Sequence, residues 1–143
     1  MNRALKQIGL AVALGGATVA CAQTGGGGAQ APADECPIME SRDWRAWVDA
    51  EPGGPRMLRV EGEVDMPTPG YRAVWRVGPA DRRLPPAQHL ILDLTPPLGL
   101  SLQVITPTRL SYAGEAVYPA YRAIVVRCGD RVLAEIDEVP EAQ

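Results

Sequence analysis

The most constraining feature of this sequence is a strict alternation of side-chain character over residues 58–66, LRVEGEVDM. Apolar residues or glycine occupy the even positions, and charged residues occupy the odd ones. Because successive side chains of a β-strand point to opposite faces of the sheet, this period of two predicts a strand with one buried and one solvated face. The chain must therefore form a sheet and supply a second layer that covers its apolar face.

Further short apolar runs, separated by turn-forming residues, repeat this signal along the chain. Gly129-Asp130 has the composition of a two-residue hairpin turn, and Pro67–Gly70 that of a longer turn. The predicted strands cover residues 57–66, 71–77, 90–94, 98–106, 109–112, 121–128 and 131–136. Short strands at this spacing are typical of all-β folds, and we expect an immunoglobulin-like β-sandwich of six or seven strands.

One segment near the start of the predicted domain departs from the period of two. Trp44, Trp47 and Val48 are spaced i, i+3 and i+4, which would place them on one face of a helix. Ser41 is a suitable N-cap, and a proline- and glycine-rich run follows the segment. We therefore predict one short N-terminal helix over residues 42–50, docked onto a sheet through its tryptophans.

The odd positions of the alternating strand carry three acids, Glu61, Glu63 and Asp65. Side chains two apart on a strand are separated by about 6.6 Å. This distance would allow the acids to act as a catalytic pair, as in a glycosidase, or to bind calcium. A solvated strand face has the same composition, and it is the interpretation we favour. Arg72 and Arg76 on the next predicted strand are suitable cross-strand partners if the two strands are neighbours.

Residues 1–20 have the three parts of an export signal. Arg3 and Lys6 form a positively charged start, an apolar run covers residues 8–20, and small residues precede Cys21. The apolar run is shorter than the roughly 20 residues that a membrane-spanning helix needs. We therefore expect residues 1–20 to be a signal peptide.

The end of this segment, Val19-Ala20-Cys21, resembles the lipobox of bacterial lipoproteins, although Thr18 stands where that family most often has leucine. The resemblance implies cleavage before Cys21 by signal peptidase II, with a diacylglycerol thioether on the cysteine. Ala22 after the cysteine implies the periplasmic face of the outer membrane. The alternative is cleavage after Ala22 by signal peptidase I, which would release a soluble periplasmic protein.

The lipoprotein resemblance also bears on the cysteine count. Three cysteines leave one unpaired in an exported protein, since disulfides use them two at a time. If Cys21 carries lipid, Cys36 and Cys128 remain to form a disulfide, as is usual in an oxidising compartment. A catalytic redox pair would normally have closer spacing.

Composition divides the rest of the chain in two. Residues 21–34 are rich in Gly, Ala and Gln and nearly devoid of bulky apolar side chains, which predicts a flexible linker. Residues 35–143 form the predicted β-sandwich domain. Without the signal, twelve basic and seventeen acidic residues remain, a net charge of −5, so we expect no nucleic-acid partner.

The sequence offers little material for catalysis. His89 is the only histidine, which excludes a multi-histidine metal site. A catalytic triad would need His89 with an acid such as Asp93 and a serine such as Ser101 or Ser111. His89 and Asp93 would lie about 13 Å apart on one strand, and no G-x-S-x-G element surrounds either serine. We therefore expect a protein that is not an enzyme and that has no metal or cofactor.

The candidate recognition element is the proline-bearing loop at residues 80–86, which contains Asp81, Arg82 and Arg83. Exposed arginines flanked by prolines suit a rigid surface for a partner protein. The whole layout resembles that of small Gram-negative envelope lipoproteins, and this resemblance implies a membrane partner but no particular activity. We expect a tethered binding or structural module, with an envelope protein as candidate partner. The alternative is an exported protease inhibitor that uses the same loop.

Overall fold

The computed structural model describes residues 35–142, in which every regular element is a β-strand. The signal peptide, Cys21 and the linker of the sequence analysis lie outside these residues. The strands are β1 (Glu40–Ala50), β2 (Arg56–Met66), β3 (Arg72–Ala80), β4 (Ala87–Thr95), β5 (Thr106–Glu115), β6 (Ala123–Cys128), β7 (Arg131–Ile136) and β8 (Glu141–Ala142). The all-β prediction is confirmed, with eight strands where six or seven were expected.

The strands form two four-stranded sheets, with orders β5-β2-β1-β8 and β3-β4-β6-β7. Both sheets are mixed, because β1 pairs with β8 and β4 pairs with β6 in parallel, whereas the other pairs are antiparallel. The two sheets enclose a shared apolar core in a sandwich-like arrangement. This arrangement covers the apolar face that the alternating strand β2 requires.

The core follows the predicted alternation closely. Val60 and Val64 of β2 have no exposed area, and the acids between them lie on the outer face. Aliphatic side chains of both sheets fill most of the interior, notably Leu90, Leu92, Ile124 and Val126. Aromatic rings connect the two sheets: Trp75 of β3 makes edge-to-face contacts with Trp44 of β1 at 6.4 Å and with Tyr112 of β5 at 5.9 Å between ring centroids.

The predicted N-terminal helix is wrong, because residues 40–50 form β1. The pairing of β1 with β2 shifts between Arg42 and Arg45, and Asp43 at the shift has a φ of 57°. Such a β-bulge inserts one extra residue and resets which side chains point inward. Trp44 consequently points into the core and Trp47 points outward, although the spacing of the two tryptophans is typical of one helical face.

Two other predictions fail for topological reasons. Of the strand predicted at residues 98–106, residues 98–105 form no strand: the chain turns at Gly99, whose φ is 84°, and strand structure resumes only at Thr106. The next strand, β5, is the edge strand expected at residues 109–112, but it is ten residues long. Strands β2 and β3 belong to different sheets, so the acids of β2 do not pair with Arg72 or Arg76.

The predicted disulfide between Cys36 and Cys128 is confirmed, with 5.3 Å between the Cα atoms and 92 residues of sequence separation. Cys36 precedes β1 and Cys128 ends β6, so the bond joins the first described segment of the chain to the opposite sheet. A cross-link over so long a loop restricts the unfolded chain strongly, which typically stabilises a small domain by about 2–4 kcal/mol.

The bulge of β1 predicts a strict requirement for glycine at position 62. The side chain of Trp44 lies directly over Gly62 of β2, and a Cβ atom there would overlap the indole ring. We expect Gly62→Ala to lower the free energy of unfolding by about 1–3 kcal/mol, as overpacking of a core does. Urea denaturation measures this change. Gly54→Ala in the exposed β1–β2 turn is the matched control, and equal unfolding midpoints for the two variants would contradict the assignment.

Candidate functional site

The candidate recognition loop comprises residues 81–86, between β3 and β4. It is shorter than the sequence predicted, because β3 continues to Ala80 and β4 begins at Ala87. The loop is closed at its base by a hydrogen bond in which the Asp81 N–H donates to the Ala87 carbonyl at 3.0 Å. Arg82, Arg83 and Leu84 at its tip are exposed, and the Leu84–Pro85 peptide bond is cis.

The carboxylate of Asp81 holds the loop together from inside. Its Oδ1 accepts hydrogen bonds from the backbone N–H of Ala87 at 2.9 Å and from that of Arg83 at 3.3 Å. Its Oδ2 accepts from Nη2 of Arg122 at 2.8 Å. The Ala87 N–H and then the Arg122 guanidinium stabilise the charged carboxylate, which lowers the pKa of Asp81 below its ordinary value.

A second contact fastens the loop to the neighbouring connection before β6. The backbone N–H of Arg122 donates to the carbonyl of Pro86 at 2.9 Å, and Pro86 itself is buried. Arg122 therefore binds the loop through both its backbone and its side chain. The loop is thus supported at its base by two chain segments, while its tip projects into solvent.

The two arginines at the tip have side chains that the fold leaves available. Neither Arg82 nor Arg83 makes a side-chain hydrogen bond or an ion pair with another residue of the 35–142 region. By contrast, several arginines on the sheet faces are engaged by acids, as Arg76 is by Asp93. A guanidinium presents a planar set of donors that matches a carboxylate, so this tip suits an acidic partner surface.

The structure does not assemble the triad residues considered from the sequence. Asp93 is bound by Arg76 on the outer face of its sheet, and this contact lowers the pKa of Asp93. His89 lies on β4 and Ser111 on β5. These strands belong to different sheets, and the outward-facing residues of the two sheets lie on opposite sides of the sandwich. Ser101 lies in the loop between these strands.

Arginines of β1 engage the acids of β2. Arg45 contacts Glu61 at 2.6 Å, while Arg42 binds both Glu63 and Asp65. The hydrogen bonds from Arg42 lower the pKa of Asp65. A shallow depression of about 260 Å³ lies beside these pairs, and within residues 35–142 no three potential metal ligands cluster. The face is therefore a charge-paired sheet surface, as the solvated-face interpretation predicted.

One surface was missed by sequence reasoning, namely the loop of residues 96–105. Leu98, Leu100 and Leu102 are 99%, 107% and 75% exposed. Their alternation with other residues suggested a half-buried strand. The absence of any charged residue from 94 to 108 was the signal that could have identified an unusual surface.

We expect Asp81→Ala to loosen the recognition loop, because its carboxylate accepts three hydrogen bonds that close it. Tryptic cleavage after Arg82 and Arg83 should accelerate by about tenfold, since cleavage requires local opening of the chain. Mass spectrometry of timed digests measures the rate. Asp137→Ala removes an exposed acid elsewhere and serves as control; identical rates in both variants would show that Asp81 does not hold the loop.

Comparison of the chain with protein-family models, with curated proteins and with solved structures finds no match. Within residues 35–142, the structure contains no helix of the length and apolar character needed to cross a membrane. The functional conclusions below therefore depend on the geometry described above and on the sequence.

Proposed function

We propose that this protein is a lipid-anchored component of the bacterial cell envelope, in which the β-sandwich is a binding module tethered through Cys21. The observation that carries the proposal is the Cys36–Cys128 disulfide. Structural disulfides are typical of exported proteins, which supports an oxidising compartment. The bond also uses two of the three cysteines, so that Cys21 is left for the lipidation that its lipobox-like context implies.

The two ends of the sandwich have different roles in this proposal. The described chain enters at Glu35, beside Cys36 and the β6–β7 turn, where a tether from Cys21 would arrive. The recognition loop lies at the opposite end, because β4 runs from Ala87 away from it, towards the end that contains Cys128. An anchored domain would therefore present Arg82 and Arg83 away from the bilayer, towards a partner.

The immunoglobulin-like layout belongs to the proposal as well. Two four-stranded sheets with a tryptophan in the core and a parallel pairing between the first and last strands support it. The disulfide differs from that of immunoglobulin domains, because Cys36 precedes the first strand. The likeness is therefore one of architecture.

An alternative use of the recognition loop is inhibition of a protease. Arg82 and Arg83 are exposed on a loop whose base is locked, which is the presentation that a trypsin-like protease would need. Inhibition of such an enzyme by the intact protein would favour this alternative. Rapid cleavage after Arg82 or Arg83 with loss of the fold would exclude it.

The anchoring part of the proposal predicts the mass of the mature protein. Protein extracted from membranes should begin at Cys21 and carry the mass of the attached acyl chains, with a further two-hydrogen deficit that disappears on reduction. Cys21→Ser should release the protein from the membrane fraction, because several acyl chains are needed for stable attachment. A mature chain that begins at unmodified Gln23 would contradict lipidation and support the soluble alternative.

The recognition part predicts a charge-dependent partner. A photo-crosslinking residue at Leu84, at the tip of the loop, should form an adduct with an envelope protein in intact cells. R82E/R83E should abolish the adduct, because like charges repel an acidic surface. R72E/R109E reverses two exposed arginines outside the loop and should leave the adduct intact. Loss of the adduct in both double variants would indicate a general charge effect and contradict recognition by this loop.

A further inference from the structure

The loop of residues 96–105, hereafter the leucine loop, contains five of the eleven large hydrophobic side chains that are exposed within residues 35–142, and such a concentration is typical of an interaction surface. Its side chains at positions 98 and 100 are essentially fully exposed, and Leu102, Val104 and Ile105 are more than half exposed. The surrounding stretch from 94 to 108 has no charged residue. Nothing in the 35–142 region covers these side chains, so the loop has the character of an unoccupied interaction surface.

The fold fixes the base of the leucine loop although its tip is free. Thr68, which is only 7% exposed, donates a hydrogen bond from Oγ1 to the carbonyl of Leu102 at 2.6 Å. Gly70 packs so closely against Pro97 that an added Cβ would lie 3.1 Å from its ring. The β2–β3 turn therefore supports the loop, and the leucines project from a fixed position on the domain.

The leucine loop lies at the end of the sandwich where the tether enters. The backbone N–H of Met39 donates to the carbonyl of Asp65 at 2.9 Å, so the segment 35–39 runs beside the end of β2. The next residues along β2, Met66 to Gly70, are those that support the leucine loop. The entry point of the chain and the exposed leucines are thus on the same end, opposite the recognition loop.

We propose that the leucine loop inserts its leucine side chains into the same lipid bilayer to which Cys21 is anchored. This inference rests on the proposed function, because the anchor brings the domain to the membrane. Fourteen residues, 21–34, separate the end of the predicted signal from the described domain, and a chain of this length reaches at most about 50 Å. The tether is therefore short enough to keep this end of the domain at the bilayer and long enough to let it turn.

The charged residues around the leucine loop do not favour electrostatic binding to a membrane, so contact with the bilayer would be made by apolar side chains. Basic and acidic residues are mixed there: Arg72, Arg127, Arg131, Glu35, Glu40 and Asp130. They provide no net attraction for anionic lipids, in contrast to a polybasic membrane site. Burial of uncharged leucine side chains therefore supplies the binding energy, and the contact should be insensitive to salt and to the proportion of anionic lipid.

A protein partner fits the leucine loop less well than a bilayer does. A stable protein interface requires roughly 20–30 residues and about 800 Å² on each side. The leucine loop is a single ten-residue segment whose apolar side chains alternate with small or polar residues. An inserting loop needs only a few leucines, because each buried leucine side chain contributes on its own.

The test uses the full mature protein, reconstituted into vesicles of phosphatidylethanolamine and phosphatidylglycerol, with an environment-sensitive fluorophore on Leu100→Cys. The new cysteine is the single free thiol, because Cys36 and Cys128 form the disulfide and Cys21 either carries lipid or is replaced. We expect a blue shift and quenching by spin-labelled acyl chains that persist in high salt. A fluorophore on Val117→Cys, at the opposite end of the domain, is the matched control, and its emission should remain that of an aqueous environment.

A second variant measures the contribution of the neighbouring leucines. L98S/L102S should reduce the equilibrium constant for insertion of the labelled loop by about tenfold for each leucine replaced. Both side chains are exposed, so the melting temperature should not change. Insertion that survives in L98S/L102S would overturn the assignment of the loop.

The failure of this inference is distinguishable from failure of the anchor. Intact mass of the same sample reports lipid on Cys21 independently of the fluorophore. A lipidated protein with a water-like signal at position 100 would overturn insertion and leave anchoring intact. If protein that retains Cys21 shows no lipid by intact mass but gives a blue shift upon adding vesicles, the result would support insertion and reject the anchor. A shift that requires no vesicles and grows with protein concentration would identify a second copy as the occupant and overturn the proposal.

Discussion

The packing of Trp44 over Gly62 and against Trp75 is the contact on which the rest of the structure depends. It joins the two sheets through their largest side chains, in a core that has no phenylalanine. The contact exists only because the bulge at Asp43 turns Trp44 inward while Arg42 stays outside to bind its acids. The extra residue of the bulge therefore allows Trp44 to pack in the apolar core while Arg42 remains on the charged outer face.

The outer faces of the sandwich are occupied by the protein's own charge pairs. Arginines of β1 and β3 bind acids on the neighbouring strands, as Arg45 does with Glu61 and Arg76 with Asp93. Such exposed pairs add little stability, but they satisfy the arginines and acids concerned within the domain itself. The surfaces open to partners are instead the two ends, one with free arginines and the other with free leucines. Under the proposed anchoring through Cys21, this division would give the domain a direction relative to the membrane.

The candidate site was predictable from the sequence only in part. Proline and adjacent arginines marked the recognition loop, because a run of that composition cannot form a central strand. The part played by Asp81 was not predictable, since its partner Arg122 is 41 residues away and approaches only through the packing of β4 beside β6. The leucine loop was interpreted as a strand because local alternation does not reveal whether a neighbouring strand is available for pairing.

The sequence by itself determined that residues 35–142 fold predominantly as β-strands, where β2 and the β6–β7 hairpin lie, and that Cys36 pairs with Cys128. Those properties follow from local alternation, turn chemistry and cysteine count. The tertiary structure alone decided that residues 40–50 are a strand. Pairing with β2 places Trp44 and Val48 inside and Trp47 outside beside Arg45, and this apolar residue on the outer face is what produced a helix-like spacing. It also decided that the free arginines and the free leucines lie at opposite ends, since that separation depends on strand direction and on sheet order.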